Sequence, residues 1–301
     1  MTDWALHAVP ASRGVVREQI RAVGGALRIP GMVAAALLVV ATAFAANDIF
    51  FDGAVVGFHP ERWVLPGLAG LLLPVGVWFG EDRYGAGFLW TMPVDRRTHA
   101  LAKVFAGWAW LMALVAVFVL WLLLLALASG GNIVGAETLQ MIPAHPLPGP
   151  GPLEPAIMRP VQWSPEPLLW LGPFTAATAT YLLASAVALG TRRPVLWVVG
   201  VVLSLVLLGA ATEMTDAEGL AAAPSRTLES VLIGPYGLAT MLIADTEALK
   251  VEVDLTTGEP AVVWLGLPDT GRWTVATLLW LGAGLAALWA AASRHRERRR
   301  G

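Results

Sequence analysis

Six stretches of the chain are almost wholly apolar and carry no Asp, Glu, Lys, Arg or His: residues 31–46, 63–80, 104–128, 168–190, 195–212 and 273–292. A bilayer core about 30 Å thick is crossed by about 20 helical residues, each rising about 1.5 Å. Each stretch therefore predicts a membrane-crossing helix, the first extended to the interface by Asn47 to Phe51. Ahead of them, Val16, Ile20, Val23 and Leu27 recur at helical spacing, while Arg13, Arg17 and Arg21 occupy another face. This pattern predicts an N-terminal amphipathic helix lying in the interface, after which the chain turns at Pro30 into the first span. A frayed leader is the plainer alternative.

Two long connections have patterns of their own. Residues 129–167 are dense in proline from Pro143 onward, which predicts extended polyproline II or irregular coil. Within 213–272, apolar pieces 228–233 and 237–243 flank Gly234, Pro235 and Tyr236. Neither piece is long enough to cross. Such a break fits a re-entrant hairpin, tolerated by a bilayer only where protein covers the freed backbone groups, or else an interfacial amphipathic helix. Further on, Lys250–Leu255 alternates strictly, and with the turn Thr256-Thr257-Gly258-Glu259 and Ala261–Trp264 it predicts a small β-hairpin.

Composition agrees with the pattern: 56% hydrophobic and 14% charged residues exclude an ordinary soluble domain. The absence of cysteine removes disulfides, thiol nucleophiles and Cys-based zinc sites together. A net charge of -2 offers no basic surface for nucleic acid. The placement of charge says more. Six crossings sort the termini and connections into two sets, and the set holding both termini contains 15 of the 20 basic residues. The other set contains 16 of the 22 acidic residues. By the positive-inside rule both termini are expected in the cytoplasm, and the acidic connections outside. The Arg-, Ala- and Gly-rich composition would fit a high-GC bacterial genome, and the expected location is the bacterial cytoplasmic (inner) membrane, crossed several times. Ala43-Phe44-Ala45 looks like a signal-peptide cleavage site, but the basic lead of about 30 residues is too long for one.

The apolar runs restrict the chemistry as well. Without ionisable groups they lack the usual equipment of proton relays, ion-coupled transporters and intramembrane proteases. Gly282 to Ala287 formally fits a dinucleotide-binding pattern, yet it lies inside the last span, where small residues serve helix packing. No phosphate-binding Gly-x-x-x-x-Gly-Lys-Ser/Thr loop occurs, so uphill transport would draw its energy from another polypeptide. His59 and Glu61, with Asp48 and Asp52 nearby, match no metal spacing and read as solvated loop. No catalytic, cofactor or metal residue is assigned. In the fourth span Thr175, Thr178, Thr180, Tyr181 and Ser185 mark either a substrate path or plain helix contact. Trp63, Trp78, Trp163, Trp170, Trp264 and Trp273 lie near span ends and read as aromatic belts.

Between the second and third spans, the segment from Gly80 to Lys103 holds an acidic residue, glycines, a hydrophobic-Pro-Val-x-Arg-Arg turn and a lysine opening the next span. Gly85 and Gly87 permit close approach of another backbone, Pro93 fixes a turn, and Asp95 is placed to cap a helix starting near Arg96. The plain alternative is an anchor whose Arg96, Arg97 and Lys103 meet lipid phosphates. In this segment the chain resembles type 2 ATP-binding-cassette (ABC) transporter permeases, the matching residues being Glu81, Gly85, Pro93, Val94, Arg96, Arg97 and Lys103. The likeness extends loosely to the interfacial helix, the six-span plan and the broken stretch before the last span. It implies an ATPase-coupling elbow, including Arg83 and Asp95, docked on a cytoplasmic ATP-binding-cassette ATPase dimer that binds ATP and Mg. It also implies a second permease copy, identical or related.

The expected architecture is thus an all-α polytopic membrane protein: six transmembrane helices, an N-terminal interfacial amphipathic helix and a small extracytoplasmic β-hairpin. One permease domain, 1–301, divides into the interfacial helix (1–30), spans one to three (31–128) with the elbow (80–103), and a Pro-rich outer loop (129–167). Spans four and five follow (168–212), then an outer loop with the break at Gly234, Pro235 and Tyr236 (213–272), and the last span with a basic tail (273–301). The expected role is export of an amphiphilic or lipophilic substrate by a non-catalytic subunit. A non-transporting scaffold or sensor is the alternative, and a lipid-modifying membrane enzyme a weaker third.

Overall fold

The computed structural model describes residues 8–53, 63–78, 96–131, 136–142, 157–163, 167–191, 196, 230–232, 234–243, 248–253, 260–267 and 269–293. Helices dominate: α1 (Ala8–Ala26), α2 (Arg28–Phe51), α3 (Val64–Val77), α4 (Arg96–Ala128), α5 (Gly172–Gly190), the short α6 (Leu238–Leu242) and α7 (Thr270–Ser293). Four of them, α2, α4, α5 and α7, are long and apolar enough to cross a membrane, and the chain is membrane-embedded. The second expected span is shorter than its apolar run, 14 residues in α3. The fifth, 195–212, lies outside the described residues apart from Leu196.

Local chemistry accounts for several boundaries. Asp269 starts α7: its Oδ1 accepts the Arg272 amide at 2.9 Å, and its carbonyl accepts the Trp273 amide at 3.0 Å. Pro173 stands in the first turn of α5, where no amide is missed. The expected turn at Pro30 is displaced. The helix is interrupted at Leu27, and Pro30 sits in the first turn of α2, where its lost N–H costs nothing. Nor does the apolar face of α1 lie on lipid alone. Val23 is 1% exposed, and Ile20 and Leu27 join it against residues of α3 and α4.

α5 forms the centre of the bundle, with Ala176, Ala177, Ala179 and Tyr181 fully buried. On one side Gly70 of α3 lies so close that a side chain there would strike Ala177 and Thr180. On another side α7 follows α5 along its length, Ala179 clustering with Ala276, Leu182 beside Gly284, and Gly190 beside Ala291. These two helices therefore point the same way. α4 runs against them, with Val104 at the level of Tyr181 and Ala126 clustered with Ala176. α2 buries no residue, and touches the bundle through Thr42, whose hydroxyl accepts from Trp121 at 2.8 Å.

Four short strands are also described: β1 (Ala136–Ile142), β2 (Ile157–Trp163), β3 (Ala248–Val253) and β4 (Pro260–Leu267). They make one antiparallel sheet in the order β2-β1-β4-β3, with Leu139 opposite Leu265 and Lys250 opposite Trp264. The proline-rich connection expected as coil or polyproline II thus holds two paired strands. Pro160 is accommodated because β2 is an edge strand, one side of which needs no donor.

Candidate functional site

Two regions lie at opposite ends of the bundle. The first is bounded by the flanks of the basic elbow. Glu81, Arg83, Gly85, Pro93 and Asp95 lie outside the described residues, whereas Arg96 begins α4, where the sequence predicts a helix start. One residue on, Arg97 sets its guanidinium 3.8 Å from the ring centroid of Trp289, near the end of α7. Lys103, only 6% exposed, holds its ammonium 4.9 Å from the ring centroid of Trp78, the residue that closes α3. A buried cation is costly in a membrane, and here the face of an indole and the negative end of a helix both offset that cost. α1 joins this end: Trp110 donates its indole N–H to the Ile20 carbonyl at 3.0 Å, and Gln19 approaches His99 at 3.5 Å.

The second region is the break before the last span. Gly234 follows one helical piece, its amide bonded to the Ser230 carbonyl at 3.1 Å, and α6 begins four residues later. Such an interruption frees carbonyls, and donors within the segment and from α3 and α7 meet them. The Gly234 carbonyl accepts from the Gly237 amide at 2.7 Å and the Thr240 hydroxyl at 3.1 Å. Tyr236 O accepts from the Trp280 indole at 3.2 Å, and Met241 O from the Trp273 indole at 3.2 Å. Leu242 O accepts the Trp63 amide at 2.7 Å. Met241 is fully buried, clustered with Ala179 and Ala276. Trp273 and Trp63 open α7 and α3, whereas Trp280 lies two turns further along α7. The chain at Tyr236 thus reaches deeper into the bundle than at Leu242 and then returns.

The polar residues of the fourth span are engaged in helix contacts. Thr178 accepts the Trp108 indole N–H at 3.1 Å and donates to the Phe174 carbonyl at 2.7 Å. Tyr181 donates to the Val104 carbonyl at 2.8 Å, and a side chain at Gly107 would strike its hydroxyl. Thr175 and Thr180 bond back to their own helix, and Ser185 is fully buried one turn beyond Tyr181. Thr178 and Tyr181 therefore line the α4–α5 seam.

Sequence reasoning missed what the tryptophans do. Trp63, Trp78 and Trp273 were expected in aromatic belts, yet they are 2%, 4% and 3% exposed. The Trp273 ring meets the Met241 carbonyl and the Trp78 ring faces the Lys103 cation, while Trp63 clusters with Ala126 and Ala176. The seven-residue spacing of Trp273 and Trp280, which puts both on one helix face, is the signal that could have found the two indole donors. Among the described residues no group of three metal-ligating side chains occurs; His59 and Glu61 lie outside them. Comparison of the chain with known protein families, with curated proteins and with solved structures returns no match.

Proposed function

We propose that this chain is the membrane-spanning permease subunit of an ATP-binding-cassette exporter, six spans with both termini in the cytoplasm. ATP and Mg are bound by a cytoplasmic ATPase dimer, and a second permease copy completes the complex in the bacterial inner membrane. The observation that carries this reading is a broken apolar element, sealed by tryptophans at one end of the bundle, with the flanks of the basic elbow gathered at the other. That layout agrees with the resemblance of residues 80–103 and of the segment before the last span to type 2 permeases. The six-span count draws support from the shared direction of α5 and α7. Helices pointing the same way across a bilayer need an odd number of crossings between them, and the uncharged run 195–212 fits one. The sheet, including the β3–β4 hairpin, then lies on the outer side.

ATP-driven movement of the elbow opens the α4–α5 seam, where Thr178 and Tyr181 exchange their bonds to Trp108 and Val104 for bonds to cargo. Spans without ionisable groups suit an amphiphilic or lipophilic cargo better than an inorganic ion. Purification from the native host in mild detergent tests the reading. The expected result is a stoichiometric ATPase in the complex, with hydrolysis uncoupled from transport by Glu81→Ala and Arg96→Glu. A chain that purifies alone and is silent with ATP points instead to a scaffold or sensor.

A further inference from the structure

We infer that Arg97 and Lys103 form a two-point latch tying the start of α4 to the ends of α7 and α3, with Trp289 and Trp78 as its positioning residues. The inference rests on the permease reading and specifies how a push on the elbow reaches the spans. α3 and α7 both pack on α5, and the first two turns of α4 reach over to each.

Arg97 in the first turn of α4 is opposed by that helix's own dipole, and Lys103 lies beyond its reach, so the dipole of α4 holds neither cation. Their seats are elsewhere, on indoles at the C-terminal ends of α7 and α3, where the dipole sign suits a cation. An indole face attracts a cation through its ring quadrupole, without a directional hydrogen bond. A rotation of the start of α4 must therefore carry the ends of α3 and α7 along with it, or break both contacts.

The absence of native cysteine makes the test direct. Spin labels at Val75→Cys and Ala290→Cys, both exposed, report the separation of α3 and α7 in the complex with its ATPase, without nucleotide and with Mg and a non-hydrolysable ATP analogue. The nucleotide should shift the distance distribution in the parent and in Trp289→Phe, which keeps an aromatic face. In Trp289→Ala and Trp289→Leu the shifted population should fall roughly 2- to 5-fold, the span of an exposed cation–π contact, with basal ATP hydrolysis and elution volume unchanged. Trp289→Leu keeps the apolar bulk, so a loss there separates the aromatic face from simple packing. A full shift in both variants overturns the latch and leaves the permease reading intact. No ATPase, or no nucleotide-dependent shift in the parent, overturns the permease reading and the latch with it.

Discussion

Tyr181 shows how a single side chain is constrained by its neighbours in this bundle. Its hydroxyl spends its proton on the Val104 carbonyl at 2.8 Å, and only a residue without a side chain fits at Gly107 beside it. Gly107→Ala should lower stability by about 1–3 kcal/mol, as overpacking does, measured by thermal unfolding in detergent. Tyr181→Phe should cost about 1 kcal/mol for the lost hydrogen bond. The double variant should cost clearly less than the two together, because Phe removes the very atom the new methyl meets; strict additivity would refute the close contact. Tyr181 was visible in the sequence as a polar residue on an apolar helix. Its partners Val104 and Gly107 were not, because local pattern carries no information about residues more than seventy positions away.

At the scale of elements, uncharged length located the helices well. The long spans over 31–46, 104–128, 168–190 and 273–292 coincide with α2, α4, α5 and α7, since burying twenty apolar residues leaves a chain few other options. The interruption at Leu27 was hidden by the more conspicuous Pro30, and strands β1 and β2 by the prolines around them. The break at Gly234 was legible from Gly-Pro chemistry, but not its seal, which depends on indoles contributed by α7. Trp280→Phe removes the donor to Tyr236 O while keeping the ring, so its cost should be about 0.6–1.7 kcal/mol. Hydrogen exchange at the Gly237 and Met241 amides should rise several-fold in this variant, while exchange in the middle of α5 is unchanged. Unaltered exchange at both amides would show that the indole bond does not hold the break.

For the molecule as a whole, orientation can be read with single cysteines on the cysteine-free background. Ser129→Cys and Thr270→Cys should react with a membrane-impermeant maleimide in intact cells, and Gly14→Cys and Thr191→Cys only after permeabilisation. Thr191 and Thr270 labelled from the same side would contradict a crossing between α5 and α7 and remove one support for six spans. The charge asymmetry on which the expected orientation rests is a property of the whole sequence, legible without any structure, whereas the shared direction of α5 and α7 emerges only from their packing.

The unequal lengths of the helices carry one more consequence. At about 1.5 Å per residue, the 14 residues of α3 measure about 21 Å and the 24 of α2 about 36 Å, against a hydrocarbon core of about 30 Å. In the six-span reading both helices cross, and one bilayer thickness cannot suit both. The lipid must thin around α3 or α2 must tilt, and α2, which buries nothing, is the helix with freedom to do so. On that reading acyl-chain length acts on the tilt of α2 rather than on any binding site.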